Sequence, residues 1–134
     1  MSPMALIVAT RFTLLVPVTD WVFVEDAHVA GGIKSAVERA RAGTAHMVKI
    51  EVEVDTLAQL EEALALGVDT ILLDNMDPAD LRRAVDLARN RAVLEASGNV
   101  TLASVRAIAE SGVDYISSGA ITHSAPNLDV ALDF

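Results

Sequence analysis

Two spacings of apolar residues alternate along this chain, and the switch between them recurs. The clearest stretch is KIEVEVDTLAQLEEALALGVDTILLDN, Lys49 to Asn75. It opens with a period of two, Ile50, Val52 and Val54 set against Glu51, Glu53 and Asp55, which predicts a strand with three carboxylates at or near its C-terminal end. Leu57, Leu60, Leu64 and Val68 then recur at helical spacing. Thr56 is placed to cap that helix with Gln59 reaching back, and Gly67 to end it. The continuous run Ile71-Leu72-Leu73, closed by Asp74 and Asn75, predicts a second strand. Parallel strands joined by a helix cross over right-handed, so Glu53 and Asp74 fall on one rim of one sheet. In parallel α/β architectures that rim carries the chemistry.

The same alternation continues downstream. Ile33 to Ala42 predicts a helix with Ile33, Val37 and Ala40 inward, ended by Gly43. Asp77-Pro78-Ala79-Asp80 opens another, with Asp77 as N-cap, Pro78 at the first helical position and Asp80 in the positive first turn; Leu81, Val85 and Ala88 face in. Ala92 to Ala96 predicts a strand. Thr101 or Asn99 then caps a helix with Leu102, Val105, Ile108 and Ala109 inward, ended by Gly112, and Tyr115 to Ser118 is the last strand. Strand starts near residues 49, 70, 92 and 115 mark a β/α repeat, hence a parallel sheet flanked by helices. The beginning is less regular. Ala5 to Thr10, Leu14 to Thr19 and Trp21 to Glu25 all have strand character, with Pro17 demoting the middle one to an edge or irregular strand. No helix fits between residues 10 and 21, so this part is expected to be a hairpin or a tightly spliced connection. The tail holds Pro126 and a short closing helix from Leu128 to Leu132. The expected fold is α/β: one domain over residues 1–134, a parallel sheet of about six strands curling into a partial TIM-like barrel, with an open doubly wound sheet as the alternative.

Composition narrows the function. Of 134 residues, 52% are hydrophobic and only 4% aromatic, so the core is built from Leu, Val, Ile and Ala. No apolar run approaches the roughly 20 residues that span a bilayer, and MSPMALIVAT lacks the basic start of a signal peptide. No cysteine means no disulfide and no thiolate nucleophile. A formal charge of −9 argues against a nucleic-acid partner or an anionic membrane surface. The expected location is cytoplasmic.

Glu53, Asp74 and Glu95 at neighbouring strand ends form a cluster able to hold Mg²⁺ through oxygen ligands. Rim carboxylates also serve as solvated or helix-capping groups, the role expected of Asp55 and Asp77. Ser97-Gly98-Asn99 and Ser118-Gly119-Ala120 each follow a strand, where backbone N–H groups can cradle a phosphate. His28, His46 and His123 show no metal-ligand spacing, but His123 lies beside the second of these loops. The charged positions Arg82, Arg83, Asp86 and Arg89 form a solvent-facing helix surface.

Four segments, KIEVEVDTLAQLEEAL, ILLDNM, EASGNVT and SGAITHSAPNLDVALDF, together resemble the C-terminal barrel domain of quinolinate phosphoribosyltransferase, specifically from about Gly31 onward. That family condenses quinolinate with phosphoribosyl pyrophosphate, releasing CO₂ and pyrophosphate, in NAD synthesis. The resemblance implies that, if the chain is active, Glu53 and Asp74 are catalytic and face the ribose and Mg²⁺; without activity no cofactor is expected. It implies the 5′-phosphate at Ser97, Gly98, Ser118 and Gly119 with His123 nearby, and substrate binding at Arg11. LIVATRFT is similar to the family's Thr-Arg-Lys-Thr strand end, but Phe12 replaces the Lys. FVEDAH is similar to its Lys-Asp-Asn-His strand end, with Glu25 for the Lys and Ala27 for the Asn. The intervening helix with its His-Arg pair and the family's N-terminal α/β domain have no counterpart here. Each lost clamp on an anion costs about 2.7–4 kcal/mol, and Glu25 adds repulsion. The expectation is therefore a folded, non-catalytic scaffold that keeps a phosphate-binding rim, with a deletion pattern like that of an engineered barrel. The alternative is residual phosphoribosyl transfer to quinolinate. Exposed apolar surface and strand edges predict self-association, as a dimer.

Overall fold

A computed structural model describes residues 21–24 and 31–119. The strands expected at Ala5–Thr10 and Leu14–Thr19, and the tail helix at Leu128–Leu132, lie outside the described residues, as do Arg11, Phe12, Glu25, Ala27, His28 and His123. The described elements are β1 (Trp21–Val24), α1 (Ile33–Gly43), β2 (Lys49–Val54), α2 (Leu57–Ala65), β3 (Thr70–Asp74), α3 (Pro78–Ala88), β4 (Val93–Ser97), α4 (Val105–Ala109) and β5 (Tyr115–Ile116).

All neighbouring strands pair in parallel, in the order β1-β2-β3-β4-β5. Each connection is right-handed by default, so a strand order that never reverses puts every helix on the same face. Consecutive helices accordingly pack side by side, α1 on α2, α2 on α3 and α3 on α4. This is the winding of a β/α barrel. A doubly wound sheet needs the strand order to reverse, so that alternative is set aside. The five described strands form an arc of the barrel kind, not a closed ring.

The core lies between the sheet and this single helix layer. Ile50, Val52 and Val54 of β2, Ile71 and Leu73 of β3, and Leu94 and Ala96 of β4 point into it, meeting Val37, Leu60, Ala63, Leu81 and Ala84 from the helices. The helix faces match expectation in α1 and α2. In α3, Ala84 is buried with Leu81 and Ala88, while Val85 is only partly covered.

The start of each helix follows from its cap. Thr56 and Gln59 form the expected capping box, and Asp77 accepts from the N–H groups of Ala79 and Asp80, both at 2.8 Å. The α4 region departs from expectation. Thr101, not Asn99, closes the first turn: its Oγ1 accepts from the Ser104 N–H at 3.2 Å while Ser104 Oγ accepts from the Thr101 N–H at 2.9 Å. Regular helix begins only at Val105, so Leu102 and Ala109 are exposed rather than inward. The last strand is also shorter than expected, ending at Ile116 rather than Ser118.

One device is used twice. Gly67-Val68-Asp69 and Gly112-Val113-Asp114 both lead from a helix into a strand, each through a glycine at positive φ (64° and 94°). Asp69 then accepts from the Ile50 N–H at 3.0 Å, and Asp114 from the Leu94 N–H at 2.8 Å. The backbone N–H of each Asp donates back to the same strand residue's carbonyl. These paired bonds fix the register of β2 with β3 and of β4 with β5. Among the described residues no helix is long and apolar enough to cross a membrane.

Candidate functional site

Because the strands are parallel, all their carboxyl ends lie along one rim, and the expected site residues gather there. Glu53 is the penultimate residue of β2, Asp74 the last of β3 and Ser97 the last of β4; Ser118 and Gly119 follow β5. Alternation sends Glu51, Glu53, Leu72, Asp74, Glu95 and Ser97 to the sheet face opposite the helices.

Register decides which carboxylates meet. Val54 pairs with Leu73, so Asp55, the next residue, comes level with Asp74. One carboxylate oxygen each from Glu53, Asp55 and Asp74 lies within 4.8 Å of the others. The Asp55 carboxylate is not the capping group expected of it. Gln59 Oε1 accepts from the N–H groups of Asp55 and Thr56 at 2.9 and 3.0 Å, and Thr56 supplies the capping oxygen. Glu95, expected in the cluster, is excluded from it by the same register. It pairs with Leu72, which pairs with Glu53, so the two glutamates stand two strands apart, about 10 Å, with Leu72 between them.

The donor set suits a hard cation. Three carboxylates offer oxygen only, and Mg²⁺ holds ligands at about 2.1 Å, with opposite oxygens about 4.2 Å apart.

Deeper on the same face, burial and then the charge of Glu95 push the Glu51 carboxyl up to about 7. Burial raises Glu95 as well. Among the described residues the strand ends that carry Glu53, Asp55, Asp74 and Ser97 include no Lys or Arg. An anion bound there therefore meets an acidic surface unless a cation intervenes.

The phosphate-loop residues sit beside the carboxylates. Asp74 pairs with Ser97, and the Asn75 N–H donates to the Ser97 carbonyl at 3.0 Å. Asn75, Gly98 and Asn99 all have positive φ (51°, 85° and 47°). Asn75 Nδ2 donates to Asp74 Oδ2 at 2.6 Å, and Asn99 Nδ2 donates to Asn75 Oδ1 at 3.0 Å. A Cβ on Gly98 would overlap the Asn75 amide, so the loop needs glycine both for its backbone and for this close approach. Ser118 Oγ donates to the Val100 carbonyl at 3.2 Å, which ties the end of β5 to the Gly98 loop. The structure thus brings together Glu53, Asp74, Ser97 and Gly98, and Ser118, with Gly119 next in the chain, is tied to the Gly98 loop at Val100. Arg11 and His123 lie outside the described residues. His46 is exposed and lies just before β2, at the opposite rim.

Sequence reasoning did not single out Asp55 as a ligand, nor Asn75 and Asn99 as links. Asn tolerates left-handed backbone better than other side chains. An Asn just past a strand end, twice in this chain, was the available signal.

Comparison with known proteins agrees with this fold. Residues 9–133 match the family model of the quinolinate phosphoribosyl transferase C-terminal domain. A probable carboxylating nicotinate-nucleotide pyrophosphorylase of Bacillus subtilis is 43% identical over 116 residues, covering 85% of this chain and 40% of the relative. Its Synechocystis counterpart is 44% identical over 118 residues, covering 84% and 40%. The crystal structure of nicotinate-nucleotide pyrophosphorylase from Ehrlichia chaffeensis superposes with a TM-score of 0.75 at 44% identity, covering 87% of this chain and 43% of that one. The chain therefore spans about two-fifths of the length of these relatives.

Proposed function

The chain belongs to the quinolinate phosphoribosyltransferase family, an enzyme family of NAD biosynthesis, through that family's C-terminal domain, and we propose that it binds a phosphoribosyl ligand at its carboxyl rim with little or no turnover. One observation carries this reading: Glu53, Asp55 and Asp74 converge at the ends of β2 and β3, directly beside the Ser97-Gly98 loop. In this reading Mg²⁺ sits on Glu53 and Asp74 with Asp55 as a third donor. It would neutralise ligand anionic charge that the rim itself cannot offset. The 5′-phosphate is held by Ser97, Gly98, Ser118 and Gly119, with His123 near it. Arg11 meets the substrate carboxylates.

Low turnover follows from the sequence resemblance. Phe12, Glu25 and Ala27 stand where the family pattern has Lys, Lys and Asn, so clamps on a dicarboxylate and a pyrophosphate are gone. The second reading keeps the family reaction, phosphoribosyl transfer from phosphoribosyl pyrophosphate to quinolinate giving nicotinate mononucleotide, CO₂ and pyrophosphate. The intact acidic cluster favours it.

Calorimetric titration of phosphoribosyl pyrophosphate with Mg²⁺, with and without quinolinate, separates the two. The expected result is binding that Glu53→Gln or Asp74→Asn weakens, that Gly119→Glu abolishes, and that quinolinate leaves unchanged. Tighter binding with quinolinate, followed by product release, would establish the transferase. No heat with any ligand would end the phosphoribosyl reading altogether.

A further inference from the structure

Asn75 occupies an unusual position between two loops. A carboxylate can only accept hydrogen bonds, so the contact to Asp74 fixes which way the Asn75 amide points. Nδ2 faces Asp74 at 2.6 Å, and Oδ1 is left for Asn99 Nδ2 at 3.0 Å. The Asn75 backbone N–H meanwhile holds the Ser97 carbonyl at 3.0 Å, and the amide fills the space that a side chain at position 98 would take. One residue therefore touches a cluster carboxylate and three consecutive residues of the neighbouring loop.

We propose that Asn75 is a positioning residue coupling the carboxylate cluster to the Ser97-Gly98-Asn99 loop, so that a divalent cation on the carboxylates and a phosphate on the loop each tighten the other. This rests on the binding reading given above and adds the link between its two halves. The path is short. A cation that takes one Asp74 oxygen holds that carboxylate still. The other oxygen holds the Asn75 amide, and the amide holds Asn99. Holding the Asn99 side chain restrains the Gly98–Asn99 peptide, and with it one of the backbone N–H groups the loop can offer an anion. By linkage, phosphate that orders the loop returns the same factor to the cation.

The test is titration of the full chain with inorganic phosphate, at zero and at saturating Mg²⁺, for the parent, Asn75→Gly and Asn99→Gly. Both positions are left-handed, so glycine keeps the backbone while deleting the amide. Far-ultraviolet circular dichroism and the melting temperature verify that the variants fold. In the parent, Mg²⁺ should tighten phosphate about tenfold, within the usual range of such couplings. In either variant the gain should fall to about twofold or less, and the double variant should be no worse than either single one. Asn99→Gly is the sharper case, because its side chain bonds to Asn75 and to no carboxylate.

Equal tightening in the parent and in Asn99→Gly would mean that the two ions contact each other directly, and Asn75 would be only a turn residue. Phosphate binding in the parent that ignores Mg²⁺ would also overturn the coupling while sparing the binding reading. A parent that binds neither ion would bring down both.

Discussion

Glu51 shows how one residue's surroundings set a measurable property. It sits mid-strand in β2 on the face away from the helices, paired with Phe23 of β1 and Thr70 of β3. Lys49, Glu53 and Glu95 share that face. Burial, then repulsion from Glu95, raises its carboxyl from 4.5 to about 7. A group that holds its proton more tightly when folded favours the folded state in acid and loses that advantage as pH climbs. Stability should therefore fall between about pH 4.5 and 7, with Glu95 adding to the slope. Asp77 works in a separate window. Hydrogen bonds from the Asp80 and Ala79 N–H groups lower its carboxyl from 3.8, so its contribution is present above 3.8 and disappears only in stronger acid. Glu51→Gln should raise the melting temperature at pH 7.5 and flatten the dependence between 4.5 and 7. A variant whose melting curve tracks the parent's at every pH would show that Glu51 is not the titrating group. None of this was legible beforehand, because alternation marks Glu51 as facing away from the core but not what covers that face. Glu53 and Asp74 could be read as rim residues because a strand's end is visible in its pattern. Asp55 joining them, and Glu95 standing apart, depended on register, which periodicity leaves open.

At the scale of elements, caps and turns were the most readable part. Thr56 with Gln59, and Asp77 with Pro78, each fix a helix start by local chemistry that needs no tertiary partner. The start of α4 was misread for the same kind of reason. Leu102, Val105, Ile108 and Ala109 fit helical spacing, yet the reciprocal bonds of Thr101 and Ser104 hold the first turn in a form that leaves Leu102 in solvent. Local hydrogen bonding prevailed over the apolar pattern. The twofold Gly-Val-Asp device carries a quantitative expectation. Each Asp accepts from a backbone N–H of the adjacent strand, and a hydrogen bond to a charged group is worth about 1.5–3 kcal/mol when well sheltered. Both aspartates are largely exposed, so Asp69→Ala and Asp114→Ala should each cost about 1 kcal/mol in urea unfolding. The double variant should cost about the sum, since the two junctions share no partner. Asp→Asn, which keeps an acceptor, should cost less. Unchanged urea midpoints in both alanine variants would mean that strand register is held by the ladders alone.

For the whole molecule, the arc of five described strands ends at β5, beside which apolar side chains are exposed. β5 is two residues long and pairs, among the described residues, with β4 only. Its Tyr115 is 63% exposed, and Leu102, on the loop leading into α4, is 98% exposed. Val105 and Ala109, with the charged Arg106 and Glu110, line a shallow open groove along α4. In a closed β/α barrel the next unit would cover this end. A second copy of the chain can cover it instead, and we propose that it does, as a homodimer. The opposing force is electrostatic: two chains of charge −9 repel over a distance of about 30 Å at 0.01 M salt but only about 8 Å at 0.15 M. Association should therefore strengthen with salt, the reverse of an ion-paired interface. Sedimentation at tens of micromolar chain should show a dimer at 0.15 M salt and partial dissociation at 0.01 M. Leu102→Asp together with Tyr115→Glu should give a monomer that still melts cooperatively, since neither side chain belongs to the buried core. A parent that sediments as a monomer at both salts would sink the dimer. A dimer that persists in the double variant would place the contact elsewhere on the chain.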